Sequence, residues 1–262
     1  MRFWGRESVK IARFEYGGNV GYGFVDPEKG EIRDLDGPPF EGIRVSGGER
    51  PLADVRLLAP VVPSKIVAIG LIYKDHAREM GKAIPKEPLI FLKAPSALNH
   101  PGDDVVYPRV SRRVDYEAEL AVIIGKKAKD VAARDARSVI LGYTCINDVT
   151  ARDLQARDGQ YARSKGFDTF APLGPWIETD LDPSALSVRS LVNGQVKQDS
   201  NTREISTSVF GLVEYVSRFM TLYPGDVVST GTPPGVGPVQ VGDVMTIEIE
   251  GIGSLTNRVV AQ

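Results

Sequence analysis

Polar and apolar residues alternate along residues 114–120, and the polar ones are acidic. The segment reads Val-Asp-Tyr-Glu-Ala-Glu-Leu and continues into an apolar run that ends at Gly125. Because successive side chains of a strand point to opposite faces, the pattern predicts a strand with Asp115, Glu117 and Glu119 on one face. Two interpretations of that face are open. Either a divalent cation lies between Glu117 and Glu119, since hard cations prefer carboxylate oxygens, or the face is exposed to water, as in many antiparallel sheets.

The rest of the pattern predicts an α+β fold that is rich in antiparallel strands. Residues 1–58 contain short strands separated by Gly, Pro and Asp turns, including a hairpin turn at Gly17 and Gly18, and they predict a small β-rich N-terminal domain. The prolines of residues 60–63 predict a linker, and residues 59–262 form the larger domain. There we expect strands at 65–70, 89–92 and 139–146, helices at 73–80 and 150–157, and an Asn193-Gly194 hairpin turn.

One further helix is predicted near the C-terminal end, and Ser206 is its expected N-cap. Its apolar positions repeat at helical spacing over Val209, Leu212, Val213, Val216 and Met220.

Composition narrows the kinds of function and of metal site. With 42% hydrophobic and 25% charged residues and a net charge of -2, the chain is an ordinary globular protein without a basic surface for nucleic acid. No apolar run is long enough to span a membrane, and residues 1–7 lack the apolar core of a signal peptide, so we expect a cytoplasmic protein. Cys145 is the only cysteine, and there are two histidines. A metal site must therefore be mostly oxygen, which favours Mg²⁺, Mn²⁺ or Ca²⁺.

His76 and Glu79 are three residues apart on a predicted helix, so they lie on the same face. A carboxylate beside an imidazole orients the ring and raises its basicity, as a general base requires. An ordinary surface pair would show the same spacing, and the pattern does not separate the two.

Three further positions are candidates for chemistry. Asp148 follows an apolar strand, where it either completes a carboxylate set with Glu117 and Glu119 or caps the next helix. Lys165 lies in a Gly-containing loop, where it either stabilises an enolate or oxyanion or is simply solvated. The Gly/Pro-rich residues 230–237 could hold a carboxylate through backbone N–H groups, although any strand connection can look like this.

Taken together, these stretches resemble the fumarylacetoacetate hydrolase family. The similarity covers about residues 63 to 260, and six stretches occur in the family's order: residues 73–80, 93–98, 114–120, 147–155, 164–168 and 229–237. Each stretch is weak by itself, but the ordered set is specific. One departure is Ile72, where the family commonly has asparagine, so a hydrogen-bonding group is missing beside the expected lid.

The resemblance implies a role for each candidate residue. The family's metal ligands correspond to Glu117, Glu119 and Asp148, and its catalytic residues to His76, Glu79 and Lys165, with the His-Glu pair in a segment that closes over the substrate. Its substrate-binding residues correspond to Gln155 and Thr232. The resemblance also implies a catalytic domain with a mixed β-roll or β-sandwich, preceded by a small β-rich domain, and a homodimer.

The implied activity is metal-dependent chemistry on a small 2-oxo acid. With Mg²⁺ or Mn²⁺ bound, such a site stabilises an enolate. We expect hydrolysis of an acylpyruvate or fumarylpyruvate C–C bond. The alternatives are decarboxylation of oxaloacetate and isomerisation of 2-hydroxyhepta-2,4-diene-1,7-dioate. A more distant alternative is a non-catalytic, metal-stabilised binding module, which would need the carboxylates but neither Lys165 nor the His-Glu pair.

Overall fold

A computed structural model describes residues 9–262, so the first eight residues of the predicted N-terminal domain lie outside the described part. The helices are α1 (Lys74–Glu79), α2 (Arg152–Asp158), α3 (Ala162–Lys165) and α4 (Val209–Phe219). The strands of the first half are β1 (Lys10–Tyr16), β2 (Asn19–Asp26), β3 (Glu31–Leu35), β4 (Val45–Pro51), β5 (Arg56–Leu58), β6 (Ile66–Gly70), β7 (Leu89–Lys93), β8 (Leu98–Asn99), β9 (Val105–Tyr107), β10 (Val114–Tyr116) and β11 (Ala118–Ile124). Those of the second half are β12 (Ile140–Asn147), β13 (Thr150–Ala151), β14 (Ala171–Glu178), β15 (Ser187–Val192), β16 (Gln195–Asn201), β17 (Val227–Ser229), β18 (Gly237–Val239), β19 (Val244–Ile249) and β20 (Gly253–Ala261). The predicted α+β fold is confirmed.

A large mixed sheet runs through the molecule. Its strand order is β4-β3-β2-β1-β14-β12-β11-β17-β6-β7, with β5 paired to β1 and β8 paired to β14. The N-terminal strands β1 to β5 therefore continue the sheet of the larger part through the antiparallel pair of β1 and β14. Gly17 and Gly18 form the predicted turn between β1 and β2, and both have positive φ, which glycine adopts without strain. The boundary between residues 58 and 59 stays a prediction.

Two smaller sheets pack near the large one. One has the order β16-β15-β19-β20-β9, and the other has the order β13-β10-β18. A main apolar cluster lies between β11, β12, α4 and the five-stranded sheet, with members such as Leu120, Tyr143, Leu212, Val188 and Ile247. This packing fixes β11 and β12, the two strands that carry the candidate site.

The acidic strand differs from its prediction at one residue. Residues 114–125 form two strands, because Glu117 separates β10 from β11. The Glu117 N–H donates to the Asn147 side-chain oxygen at 3.0 Å rather than to a backbone carbonyl of a neighbouring strand. The chain therefore passes from the sheet of β10 to the sheet of β11 at this point.

Two helix boundaries also differ. The helix expected from residue 150 begins at Arg152, because Thr150 and Ala151 pair with β10 as the short strand β13. The last helix is capped by Ser208 and not by Ser206, and the Ser208 hydroxyl accepts a hydrogen bond from Gly211 N at 3.1 Å. Met220 lies just beyond that helix. The helix at Lys74–Glu79, the strands β6, β7 and β12, and the hairpin between β15 and β16 lie where they were predicted.

Within residues 9–262, no helix is long and apolar enough to cross a membrane.

Candidate active site

Three carboxylates converge where β10, β11 and β12 meet. Glu117 lies between β10 and β11, Glu119 is on β11, and Asp148 follows β12. The antiparallel register pairs Ala118 with Asn147, which brings Asp148 beside Glu117. One oxygen from each carboxylate lies within 4.8 Å of the others, and the three residues are 5%, 1% and 0% exposed. The alternative of a water-exposed acidic face is therefore wrong.

Glu119 and Glu117 are each held by donors from other parts of the chain. The Ser229 hydroxyl donates to Glu119 Oε2, and so does Gly231 N at 2.9 Å. The Arg152 guanidinium pairs with Glu117 Oε1. These contacts fix Oε2 of Glu119 and Oε1 of Glu117, which limits rotation of both side chains.

Asp148 lies between two buried lysines. Lys93 Nζ donates to Asp148 Oδ1 at 2.5 Å and to the carbonyl of Val149 at 3.2 Å, and Lys165 Nζ donates to Asp148 Oδ2. The helix that follows has Ala151 at its N-cap, so the interpretation of Asp148 as a helix cap is wrong.

Lys165 is not in a solvated loop. It is the last residue of the short helix α3 and is buried, with Nζ also 2.8 Å from Glu117 Oε2. Its ammonium therefore bridges two of the three carboxylates.

The charges in this group shift the pKa values in opposite directions. Burial and the neighbouring charges of Asp148 and Glu117 raise the pKa of Glu119 well above its usual value. Burial acts in the same direction on Glu117, but Lys165 and Arg152 outweigh it and hold its pKa at about 2. Burial lowers the pKa of Lys165, yet the adjacent Asp148 and Glu117 carboxylates outweigh it, so the pKa is raised. Additional positive charge near Glu119 would favour its ionised form.

The donor set fits a hard divalent cation. It consists of carboxylate oxygens, without histidine or cysteine. Two of the three carboxylates, Glu117 and Asp148, already accept hydrogen bonds from the Lys165 ammonium. Oxygen donors of this kind suit Mg²⁺, Mn²⁺ and Ca²⁺. Glu117, Glu119 and Asp148 are thus a group that could hold such an ion.

His76 and Glu79 form the expected pair on α1. His76 Nδ1 lies 2.9 Å from Glu79 Oε2, and the side chains are 11% and 46% exposed. Glu79 Oε1 also accepts a hydrogen bond from Gly235 N at 3.1 Å, so the carboxylate is anchored to the loop after β17. The imidazole is buried, which contradicts the interpretation as an ordinary surface pair.

The two candidate substrate-binding residues, Gln155 and Thr232, are connected by hydrogen bonds to residues around the three carboxylates. Gln155 Oε1 accepts from Arg152 at 2.8 Å, and Arg152 in turn pairs with Glu117. The Thr232 hydroxyl donates to the carbonyl of Ala118 at 3.0 Å and accepts from Gln198.

All the predicted site residues open into one cavity of about 390 Å³, although their individual roles stay predictions. They are His76, Glu79, Glu117, Glu119, Asp148, Gln155, Lys165 and Thr232. Ile72 does not line this cavity. It packs in the apolar core, and its neighbour Leu71, which has positive φ, faces the cavity instead.

Sequence reasoning missed several charged and polar partners. Lys93 is a buried lysine at the end of an apolar strand, and such a position needs an ionic partner. Arg152 was also missed, although it lies three residues before the predicted Gln155 on the same helix. Asp115 lines the same cavity but is not one of the three converging carboxylates, and it pairs with Arg113 and Arg152.

Comparison with known proteins identifies the family of this chain. Residues 65–260 match the fumarylacetoacetate (FAA) hydrolase C-terminal family, and residues 9–60 match the Rv2993c-like N-terminal family. A solved 5-carboxymethyl-2-hydroxymuconate delta-isomerase from Mycobacterium smegmatis is 45% identical with a TM-score of 0.92, and the match covers 97% of this chain and 100% of that one.

Two further relatives carry different activity names. A solved maleylpyruvate hydrolase from Sphingobium sp. SYK-6 is 35% identical with a TM-score of 0.81, over 97% of this chain and 100% of that one. The mitochondrial oxaloacetate tautomerase Fahd2a of Rattus norvegicus is 44% identical over 222 residues, which are 80% of this chain and 71% of the relative. From the family match over residues 65–260 and the full-length similarity to the Mycobacterium smegmatis isomerase, the chain belongs to the fumarylacetoacetate hydrolase family.

Proposed function

We propose that this chain is a divalent-metal-dependent hydrolase that cleaves a C–C bond of acylpyruvate-type 2-oxo acids. One observation carries the proposal: the three carboxylates of Glu117, Glu119 and Asp148 line the same cavity as the His76–Glu79 pair. A binding module would need the carboxylates alone. The hydrogen-bonded His-Glu pair and the buried Lys165 in the same cavity argue for a reaction, because a binding module would need neither.

Glu117, Glu119 and Asp148 would hold Mg²⁺ or Mn²⁺, and Ca²⁺ is a less favoured alternative. The ion supplies positive charge for the adjacent carboxylate and 2-oxo oxygens of the substrate and acts as a Lewis acid. The acidic group that receives this ion is buried, so its electrostatic effect on the substrate is weakly screened.

Lys165 would stabilise the oxygen on which negative charge develops. Its ammonium is buried and already adjacent to Glu117 and Asp148, so it reaches the place where the 2-oxo end of a substrate would bind. A fixed cation at that point lowers the energy of an enolate relative to the ketone. Arg152, Gln155 and Thr232 would orient the substrate from the surrounding wall.

His76 would act as the general base. Glu79 engages Nδ1, which leaves Nε2 for a proton from water. Water adds its oxygen to the acyl carbonyl, the C–C bond breaks, and the electron pair remains on the pyruvate enolate. His76 returns the proton, so the products are pyruvate and a carboxylic acid.

Tautomerisation of oxaloacetate is the second candidate. It is favoured by the 44% identity to an oxaloacetate tautomerase, and it needs only the enolate stage and a proton shuttle, for which His76 would again serve. Oxaloacetate decarboxylation and isomerisation of a hydroxydienedioate pass through the same enolate, so they belong in the same test.

A substrate panel with Mg²⁺ or Mn²⁺ tests these activities. We expect acetylpyruvate and fumarylpyruvate to give pyruvate, with activity removed by a chelator and restored by the metal. Oxalate, a planar analogue of the pyruvate enolate, should inhibit competitively and bind only with the metal. Conversion of oxaloacetate between keto and enol forms without pyruvate from acylpyruvates would favour the tautomerase. Turnover of simple esters without metal would contradict the proposal.

A further inference from the structure

The cavity wall contains one cation that the protein does not neutralise. Arg113, Arg152 and Lys165 line the cavity and form ion pairs with its carboxylates. Lys82 also lines the cavity, but among residues 9–262 its ammonium has no hydrogen-bond or ion-pair partner. It is exposed and keeps its charge available to a ligand.

The backbone holds Lys82 close to the predicted catalytic pair. Met80 N donates to the carbonyl of His76, and Lys82 N donates to the carbonyl of Ala77, both at 3.0 Å. Gly81 between them has a φ of +62°, a conformation that favours glycine and ends the helix. Lys82 is thus fixed to the C-terminal end of the helix that carries His76.

The acid that would most simply neutralise Lys82 is already engaged. Glu79 is three residues earlier, a spacing that commonly gives ion pairs. In this structure Glu79 contacts His76 Nδ1 and the backbone N–H of Gly235 instead. The Lys82 ammonium is therefore exposed without a protein partner and can interact with an anion bound in the cavity.

Apolar side chains accompany Lys82 at the same part of the cavity. Met80 and Leu89 are large apolar residues that are 45% and 42% exposed, and both line the cavity with Leu71 and Val236. Apolar surface beside a charged group suits a ligand with a short carbon chain and a terminal anion.

We propose that Lys82 binds a second, distal carboxylate, so that the preferred ligands are 2-oxo dicarboxylic acids. The inference rests on the proposed function for the position of the 2-oxo end, which lies at Glu117, Glu119 and Asp148. The carbon chain passes His76 and the apolar wall, and the distal carboxylate accepts hydrogen bonds from the Lys82 ammonium. Lys82 is a specificity-determining residue here and takes no part in bond breaking.

Binding of unreactive ligand pairs tests this without requiring turnover. We would measure by calorimetry, with Mg²⁺ present, the affinities of 2-oxoglutarate and 2-oxopentanoate, which differ in having a carboxylate or a methyl group at the distal end. The pair 2-oxoadipate and 2-oxohexanoate probes a longer chain. For at least one pair, the parent protein should bind the dicarboxylate about fivefold to tenfold more tightly, as expected for an exposed charge-assisted hydrogen bond.

Variants separate Lys82 from general charge effects. Lys82→Met should remove the preference and leave the monocarboxylate affinity unchanged, and Lys82→Arg should retain the preference. Lys86→Met is the matched control, because Lys86 is an exposed lysine of the same loop that does not line the cavity. The preference of the parent should also shrink at high salt.

The outcomes distinguish this inference from the proposed function. Equal affinities within each pair in the parent, or a preference that survives Lys82→Met, would overturn the role of Lys82 while leaving a 2-oxo acid site intact. Failure of all four acids to bind with Mg²⁺ would overturn both. A preference that Lys82→Met removes would support the inference even if the substrate panel showed no hydrolysis.

Discussion

At the scale of single residues, the oxygens of the three converging carboxylates differ in which protein donors they contact. Glu119 uses Oε2 for Ser229 and Gly231, and Asp148 uses Oδ1 for Lys93. The other oxygen of Glu119 has no hydrogen-bond partner among residues 9–262 and could accept a cation, and that of Asp148 is held by Lys165. Fixing one oxygen of a ligand by hydrogen bonds orients the other, and such supporting contacts commonly change metal affinity by about 10- to 100-fold.

Glu119→Gln should weaken binding of Mg²⁺ or Mn²⁺ by more than tenfold and abolish activity. The amide keeps the shape of the side chain but removes a negative charge from the buried donor set. Calorimetric titration with each metal measures the change, and Glu87→Gln, an exposed glutamate outside the cavity, is the control. Unchanged metal affinity in Glu119→Gln would contradict the assignment of this residue as a ligand.

His76→Ala should lower kcat by about 10² to 10⁴, the usual contribution of a general base, with little change in metal affinity. Its ring contacts Glu79, and it is not one of the three converging carboxylates. His100→Ala is the natural control, because His100 is the only other histidine and does not line the cavity. A kcat within a few-fold of the parent would mean that another group accepts the proton.

At the scale of helices and strands, the sequence located the candidate site better than it located the boundaries. The alternating pattern correctly placed Glu117 and Glu119 together, although the strand breaks at Glu117. Lys93 could not be assigned, since its partner Asp148 is 55 residues away and no local pattern joins them.

The cap of α4 shows the same limit. Ser206 and Ser208 are equally good caps in the sequence, but Ser206 N donates to the carbonyl of Ile72 and the adjacent Ile205 bridges to Tyr73. These contacts hold residues 205 and 206 against the Ile72–Tyr73 segment, so the helix starts two residues later. Only the tertiary fold makes this choice.

Ser208→Ala should lower the free energy of unfolding by about 1 kcal/mol, the usual loss for an N-cap hydroxyl. The variant loses the acceptor for Gly211 N, whereas Ser206→Ala changes an exposed hydroxyl outside the helix. Denaturant unfolding of the two variants measures the difference. A larger loss in Ser206→Ala than in Ser208→Ala would contradict the observed cap.

At the scale of the whole molecule, the N-terminal strands are integrated into the rest of the protein. Strand β1 pairs with β14, and Lys10 forms an ion pair with Glu178 at 2.7 Å. Arg56 pairs with Asp103, and the N–H of Ala59 donates to His100 Nδ1 at 3.1 Å. We therefore expect the two sequence regions to unfold together.

We also propose that the protein is a homodimer, as the family resemblance implies. Strand β7 is at an edge of the large sheet and exposes Leu92, and exposed apolar edge strands favour pairing with another chain. Light scattering at micromolar concentration should give twice the 28.5 kDa mass of one chain. A mass of one chain would contradict the proposal.

His100 should make the stability of the protein depend on pH below about 6.5, the ordinary pKa of histidine. Burial lowers the pKa of His100, and Asp103 only partly opposes this effect. As pH falls through 6.5, the unfolded chain binds a proton at this position before the folded protein does. The unfolded state is therefore favoured, and the contribution of neutral His100 is lost progressively until the folded pKa is reached.

His100→Asn keeps a hydrogen-bond acceptor for Ala59 N but does not titrate. Between pH 7 and pH 5 the Tm of the parent should fall more than that of the variant, since the other titrating groups are common to both. Parallel Tm curves for the two proteins over this range would show that His100 is not protonated selectively in the unfolded state.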